Sequence, residues 1–252
     1  MTEDSKMTTP TTTSPQLLRT DSHHCTDSSL SPTPVTIAVV TAGASHPSTT
    51  TMLGQQVAAE VTRLARRRGL QAHIRLIELR YLATDIARAL VSQHISAPLQ
   101  DALDTLRDVD ALIVSSPVYK AGPSGMFTSF FQILDNDLLI GTPVLLTATG
   151  GSARHALVVD DQLRGLFAYL RTVTTPTSLY ATPNDWGNAE LSSRITRAAT
   201  ELVALIEGGF RTAVRDEAWG NYPHSFGSAG GTEMAISMES DLMRLATGGS
   251  AT

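Results

Sequence analysis

From residue 35 onward two apolar patterns alternate along the chain. Residues 35–40 form a short β-branched run, as in a strand covered on both faces. Residues 41–51 are polar, after which Leu53, Val57, Val61 and Leu64 recur at the spacing of one helix face. Arg66, Arg67 and Arg68 followed by Gly69 place cations and a glycine where a helix stops. Residues 72–78 read as a second strand, with His73 and Arg75 alternating against Ile74 and Leu76. Residues 81–93 and 99–107 read as one helical region interrupted near Pro98. Residues 111–115 give a third strand, and Phe127, Phe130, Phe131 and Leu134 set a stripe on the helix after it. Residues 143–148 give a fourth strand, followed by a helix marked by Val159, Leu163, Leu166, Phe167 and Leu170. Residues 173–180 give a fifth, in which Pro176 predicts an edge or irregular position. Leu191, Ile195, Leu202, Leu205 and Ile206 mark the last clear helix.

This alternation predicts an α/β fold: a doubly wound five-stranded parallel sheet in the order 2-1-3-4-5, with helices on both faces and right-handed crossovers. The expected domain spans residues 35–208. Residues 1–34 are dominated by Ser, Thr, Pro and Asp and read as a disordered leader. Residues 209–252 read as a largely irregular tail. His23, His24 and Cys25 lie in the leader with no second cluster to complete a tetrahedral set, so no metal site is expected.

Composition narrows the chemistry. A chain of 252 residues that is 42% hydrophobic can build a sizeable core. A net charge of -5 and 5% aromatic residues argue against a phosphate-tracking surface or a base-stacking platform, so no nucleic-acid partner is expected. The single Cys25 rules out an internal disulfide and predicts a cytoplasmic location. No run approaches the ~18 consecutive apolar residues that span a bilayer. The opening residues lack a basic start and an apolar middle, so neither a signal peptide nor a membrane partner is expected.

In a sheet of this order the loops after strands one, three and four meet at the carboxyl rim, where ligands bind. Here those loops are residues 41–51, 115–125 and 149–155, polar turns rich in Gly and hydroxyl groups. The first offers Ser45, His46, Ser48, Thr49, Thr50 and Thr51 just before a helix, more than a helix cap needs. Backbone N–H groups, hydroxyls and the positive helix end together suit a phosphate without a Lys or Arg. Neither Gly-Lys-Ser/Thr nor G-x-G-x-x-G occurs. The third-strand loop carries one aromatic ring, one cation and flexible backbone, a set that suits a flat polar ring. In the fourth-strand loop Gly150 and Gly151 let a ligand approach the backbone, Ser152 can cap the next helix, and His155 serves a ligand or the turn. A phosphate cradle beside two ring-sized loops describes a mononucleotide with a planar head group, and flavin mononucleotide (FMN) fits.

Three motifs carry a family resemblance: Ala42-Gly43-Ala44-Ser45 with Ser48 to Thr51, Ser116-Pro117-Val118-Tyr119-Lys120 with Gly125, and Gly150-Gly151-Ser152 with His155. Through them residues 35–206 resemble the NADPH-dependent FMN reductases, two-component-type flavin reductases of flavodoxin-like fold. The resemblance implies that Ser45, Ser48, Thr49 and Thr50 hold the FMN phosphate. It implies that Pro117, Val118, Tyr119 and Lys120 line the isoalloxazine and ribityl, that Thr149, Gly150, Gly151 and Ser152 meet the far edge of the ring, and that His155 is a neighbour. The implied reaction is hydride transfer from NADPH or NADH to FMN, in which the cofactor carries the reactivity and no side chain is needed as acid, base or nucleophile. The implied partners are a flavin-dependent monooxygenase that receives reduced flavin, and further copies of the chain in a homodimer or homotetramer. The helix of Phe127, Phe130 and Phe131 is a candidate for that subunit contact.

Other readings share the fold. An FMN-containing NAD(P)H reductase of quinones, azo dyes or metal oxyanions would present the same loops, as would a non-catalytic flavodoxin-like electron carrier. A receiver domain needs carboxylates after strands one and three, where this chain has Thr41-Ala42 and Ser115-Ser116. A hydrolase built on Ser152, His155 and Asp160 lacks the G-x-S-x-G elbow.

Overall fold

The computed structural model describes residues 32–218. In chain order the elements are β1 (Thr33–Thr41), α1 (Thr49–Arg67), β2 (Leu70–Glu78), α2 (Ala83–Ser92), α3 (Ala97–Asp108), β3 (Ala111–Tyr119), β4 (Gly122–Pro123) and α4 (Gly125–Gln132). They continue with β5 (Pro143–Thr149), α5 (Arg164–Tyr169), β6 (Val173–Thr174), β7 (Leu179–Ala181), α6 (Ala189–Glu207) and the short α7 (Phe210–Thr212). The sheet runs β2-β1-β3-β5-β6, with β7 also paired to β5 and β4 paired to β3. All pairings are parallel except the β3–β4 hairpin. With β6 and β7 taken as the two halves of one interrupted strand, this is the predicted 2-1-3-4-5 order, a flavodoxin-like α/β fold.

Strand periodicity explains the two apolar layers. Successive side chains of a strand point to opposite faces, so Ile37 and Val39 of β1 join Ile113 and Leu145 under α1 and α6. Their neighbours Ala38 and Val40 join Leu112, Val114 and Leu146 under the helices of the other face. Covering both faces is what makes these strands apolar at nearly every position. Edge strand β2 is the exception, and His73, Ile74, Arg75 and Leu76 are all exposed.

The structure departs from the sequence reading at several places. The fifth strand is divided, because Pro176 has no N–H for the ladder. The N–H and hydroxyl of Thr177 turn instead to the Glu201 carboxylate on α6. The helical region before β3 breaks at Gln93, a left-handed C-cap of α2, and Pro98 sits in the first turn of α3, where a missing N–H costs nothing. The third strand runs on to Tyr119, because Ser116 and Pro117 still pair with Ala148 and Thr149. The stretch after β5 is first a 3-10 turn (Ala153–His155) and a π-turn (Val159–Leu163), and only then α5. Thr33 and Pro34, assigned to the leader, belong to β1, and residues 210–218, assigned to the tail, are helical. The rest of leader and tail, His23, His24 and Cys25 included, lies outside the described residues.

The aromatic stripe of α4 is also corrected. Phe127, Phe130 and Phe131 are at most 2% exposed. They pack with each other and with Phe167 at ring separations of 4.8 to 6.3 Å. The rings fill the core beneath the sheet and offer no aromatic surface to a second subunit.

Candidate functional site

The carboxyl ends of β1, β3, β5 and β7 open onto one cleft of about 230 Å³. It is lined by Gly43, Ala44, Ser45, Ser48, Thr49 and Thr50 of the first loop and by Pro117, Val118 and Tyr119 of the third-strand segment. Thr149, Gly150, Gly151, Ala181, Thr182 and Pro183 complete it. Every residue predicted for the site lines this cleft except Lys120, Ser152 and His155. Lys120 stands exposed one residue beyond Tyr119. His155 lines a separate groove with Arg154 and Gln162, and its Nε2 lies 3.2 Å from the Arg154 guanidinium. Ser152 is exposed and contributes its carbonyl, which accepts from the Tyr180 hydroxyl at 2.8 Å.

The first-loop end is built by hydroxyl groups that bond one another. Ser48 caps α1, its Oγ accepting from the Thr51 N–H at 3.2 Å. Gly43 passes so close above it that a Cβ there would lie 1.8 Å from that oxygen, so the loop has room only for glycine. Thr51 Oγ1 pairs with Thr41 Oγ1 at 3.1 Å, and Ser115 Oγ donates to the Thr50 carbonyl at 2.8 Å. Thr50 Oγ1 meets Thr149 Oγ1 at 2.7 Å, which ties the loop after β1 to the end of β5. Buried hydroxyls require such partners, and here the partners are the ends of three neighbouring strands. Most of the loop's hydroxyls are therefore committed to the architecture. Thr49 is exposed to the cleft, and the first N–H groups of α1, at Thr49 and Thr50, have no intrahelical acceptor.

The opposite end is a hairpin. Ser116 Oγ accepts from the Ser124 N–H at 3.0 Å and so closes the base of β3 on β4. Val118 pairs with Pro123 and Tyr119 with Gly122, which leaves Lys120 and Ala121 as a two-residue turn. Their φ values are 52° and 62°, the left-handed pair of a type I′ turn, usually filled by Asn-Gly. Gln162 Nε2 holds the Ala121 carbonyl at 2.9 Å. Ser124 then caps α4 by accepting from the Phe127 N–H at 3.2 Å.

Between the two ends, Gly150 and the β7 loop form the floor. A Cβ on Gly150 would lie 2.1 Å from the Tyr180 hydroxyl. Burial first, and then the neighbouring Asp185 charge, push the Tyr180 hydroxyl above its ordinary pKa, and the hydroxyl donates to the Ser152 carbonyl. The hydroxyl and the N–H of Thr182 both donate to Asp185 Oδ2 at 2.7 Å. These bonds, the side-chain one foremost, hold the Asp185 carboxyl below the usual carboxylate range. Ala181, Thr182 and Pro183 were missed by the sequence reading, which considered only the loops after strands one, three and four. Thr182-Pro183-Asn184-Asp185, a capping-box pattern just past a strand, was the available signal.

No Asp, Glu, Lys or Arg lines the cleft. An anion entering it meets hydroxyls and the N-terminus of a helix of 19 residues, with no acid to repel it. A flat ring meets Pro117, Val118 and the half-exposed Tyr119 on one side and bare glycine backbone on the other. The cleft is thus hydroxyl-rich at one end and apolar at the other.

Comparison with known proteins gives the family of the chain. Residues 35–187 match the family model of the NADPH-dependent FMN reductases. The NADH-dependent FMN reductase SfnF of Pseudomonas fluorescens is 38% identical over 171 residues, which cover 68% of this chain and 89% of that protein. An FMN reductase (NADPH) of Pseudomonas aeruginosa is 37% identical over the same shares of both chains. Among solved structures, an oxidoreductase from Corynebacterium diphtheriae superposes with a TM-score of 0.67 at 40% identity, covering 68% of this chain and 96% of that one. An NADH:FMN oxidoreductase in its apo form gives a TM-score of 0.58 at 27% identity, over 68% of this chain and 89% of that one.

Proposed function

The chain belongs to the NADPH-dependent FMN reductase family, and from that premise we propose that the cleft at the carboxyl rim is where it brings FMN and a reduced nicotinamide together. It is an oxidoreductase that moves a hydride from NAD(P)H to FMN. The observation that carries the site assignment is the convergence of four strand ends on one cleft free of charged residues, hydroxyl-rich at one end and apolar at the other.

The residues divide the work. The N–H groups of Thr49 and Thr50, the Thr49 hydroxyl and the face of the first loop at Ser45 and Ser48 receive the phosphate. Pro117, Val118 and Tyr119 flank the ring, and Thr149, Gly150 and Gly151 meet its far edge with backbone. When bound, the flavin supplies the hydride-accepting chemistry. The protein's part is to hold it with one face open for stacking, since reacting atoms about 3–3.5 Å apart are what such a transfer requires. Tyr119 is 56% exposed at the mouth, which supports a site that the nicotinamide reaches from solvent. No titratable side chain lines the cleft apart from Tyr119, which supports a reaction without a protein acid or base.

No helix among the described residues is long and apolar enough to cross a membrane, and the single Cys25 supports a reducing cytoplasm. Transfer of reduced flavin to a flavin-dependent monooxygenase, and assembly as a homodimer or homotetramer, complete the reading. The open mouth of the cleft supports release of the flavin.

The test is purification, a visible spectrum, and NADH and NADPH consumption with and without added FMN. Added FMN is expected to stimulate consumption saturably. A rate indifferent to flavin in a protein that carries none would overturn the reading.

A further inference from the structure

The charge-free cleft has a guanidinium directly behind its first-loop end. Arg80 lies in the 3-10 turn Leu79–Tyr81 that follows β2, and its side chain is only 15% exposed. Its Nη1 donates to the Ser45 carbonyl at 3.1 Å. Its Nη2 donates to the Tyr81 hydroxyl at 2.7 Å and lies 3.4 Å from His46 Nδ1, which must be the acceptor because arginine carries only donors. Glu78 Oε1 is 3.1 Å away, and the guanidinium carbon sits 4.5 Å from the centre of the Tyr81 ring. Nε is buried without a partner.

A surface ion pair with Glu78 would not account for this arrangement. Exposed pairs keep their donors in water, and leaving a donor buried and unpaired is costly. The head group reaches past Glu78 to grip a backbone carbonyl of a different loop. That loop is a wall: Ser45 and Ser48 face the cleft, while His46, Pro47 and Ser48 line a smaller recess on the Arg80 side. The Ser45–His46 peptide is trans and planar, since the one cis bond of the loop is His46–Pro47. Drawing the Ser45 carbonyl toward Arg80 therefore turns the His46 N–H away from it.

We propose that Arg80 is a positioning residue for phosphate recognition: it clamps the Ser45 carbonyl on the outer side of the first loop and lends the cleft a positive charge from behind the wall. It thereby makes the site prefer FMN to unphosphorylated riboflavin. Glu78 opposes it by neutralising part of that charge. The inference rests on the reading that the first loop receives the phosphate.

The experiment is a set of equilibrium titrations with FMN and with riboflavin, at several salt concentrations, on the wild-type protein, Arg80→Ala, Arg80→Lys and Glu78→Gln. Arg80→Ala is expected to raise the FMN Kd about tenfold, the size of one hydrogen bond to a charged group, with riboflavin within about twofold. It should also flatten the salt dependence of FMN binding, which loss of packing alone would not do. Arg80→Lys should restore that salt dependence. Glu78→Gln should tighten FMN by about twofold to threefold and leave riboflavin unchanged, a gain that a purely structural pair would not give. If the wild type prefers FMN while Arg80→Ala keeps the same FMN-to-riboflavin ratio and salt slope, the role of Arg80 is overturned and the phosphate reading stands. A wild type that binds both flavins equally would overturn both. Should Arg80→Ala not fold, Glu78→Gln decides alone, and an unchanged FMN-to-riboflavin ratio in it overturns the proposal.

Discussion

The two ends of the cleft are built on opposite principles. At the first-loop end Thr41, Ser48, Thr50, Thr51, Ser115 and Thr149 spend their hydroxyls on one another and on backbone groups, so the wall is fixed before any ligand arrives. At the hairpin end Tyr119 stands exposed, and Lys120 and Ala121 hold left-handed backbone that non-glycine residues rarely adopt. The contrast suits a ligand with two halves. A phosphate is the same in every redox state and gains from rigid donors, whereas the ring must admit a second substrate against one face. Preorganisation at one end and access at the other therefore belong to the same task.

The sharpest way to break the comparison is to add one methyl group at the rigid end. In Gly43→Ala the new Cβ would meet Ser48 Oγ at 1.8 Å and Ser48 Cβ at 2.9 Å. The neighbour is the cap of α1, so yielding means losing the cap and opening the loop. The FMN Kd is expected to rise about a hundredfold, close to 2.7 kcal/mol, with a loss of about 1 kcal/mol in stability from the cap. Fluorescence titration with FMN checks the first, and thermal unfolding the second. An affinity within about threefold of wild type would show that the loop is not rigid.

Much of this architecture was legible in the sequence, and what was not has identifiable causes. Strands with both faces buried announce themselves as apolar runs, which is why β1, β3 and β5 and their adjacent polar loops could be placed. The glycines could be noticed but not explained: that Gly43 clears Ser48 and Gly150 clears the Tyr180 hydroxyl depends on residues five and thirty positions away. The hairpin was hidden because Lys120-Ala121 is not the Asn-Gly that signals a type I′ turn. Its strain is borne by tertiary contacts, such as Gln162 on the Ala121 carbonyl, that lie far along the chain. The divided fifth strand concealed its true carboxyl end at Ala181, and with it the Thr182-Pro183 wall of the cleft. Charge was legible only where it marks an element: Arg66, Arg67 and Arg68 close α1 as their position predicts, while no sequence pattern distinguishes the isolated Arg80, which bonds to the first loop.

A second change sharpens the division of labour. Tyr119→Ala removes an aromatic face from the open end, and stacking of this kind is worth about 1–3 kcal/mol. Affinity is expected to fall about tenfold for FMN and riboflavin alike, because the lost contact concerns the ring they share. Arg67→Ala, at the far end of α1, serves as the control and is expected to leave both unchanged. The informative quantity is the ratio of the two affinities, which Tyr119→Ala should preserve and Gly43→Ala should not. A phosphate-selective loss in Tyr119→Ala, or an equal loss in Arg67→Ala, would dissolve the distinction between the ends.

The smallest expected effect tests the hairpin turn itself, and it has the opposite sign. With φ at 62°, Ala121 occupies a region that costs an L-residue about 1–2 kcal/mol and glycine almost nothing. Replacing it by glycine relieves that cost but gives the unfolded chain more freedom, which takes back about 0.4–1 kcal/mol. The balance favours Ala121→Gly by about 0.5 kcal/mol, which raises the melting temperature by about 1–2 °C in a domain of this size. The Ala121 carbonyl still accepts from Gln162, and Tyr119 keeps its place on the strand, so flavin affinity should stay within about twofold. Thermal unfolding beside an FMN titration reads both. A destabilised Ala121→Gly would mean that the left-handed turn is not strained, and the open end would then owe its exposure to Tyr119 alone.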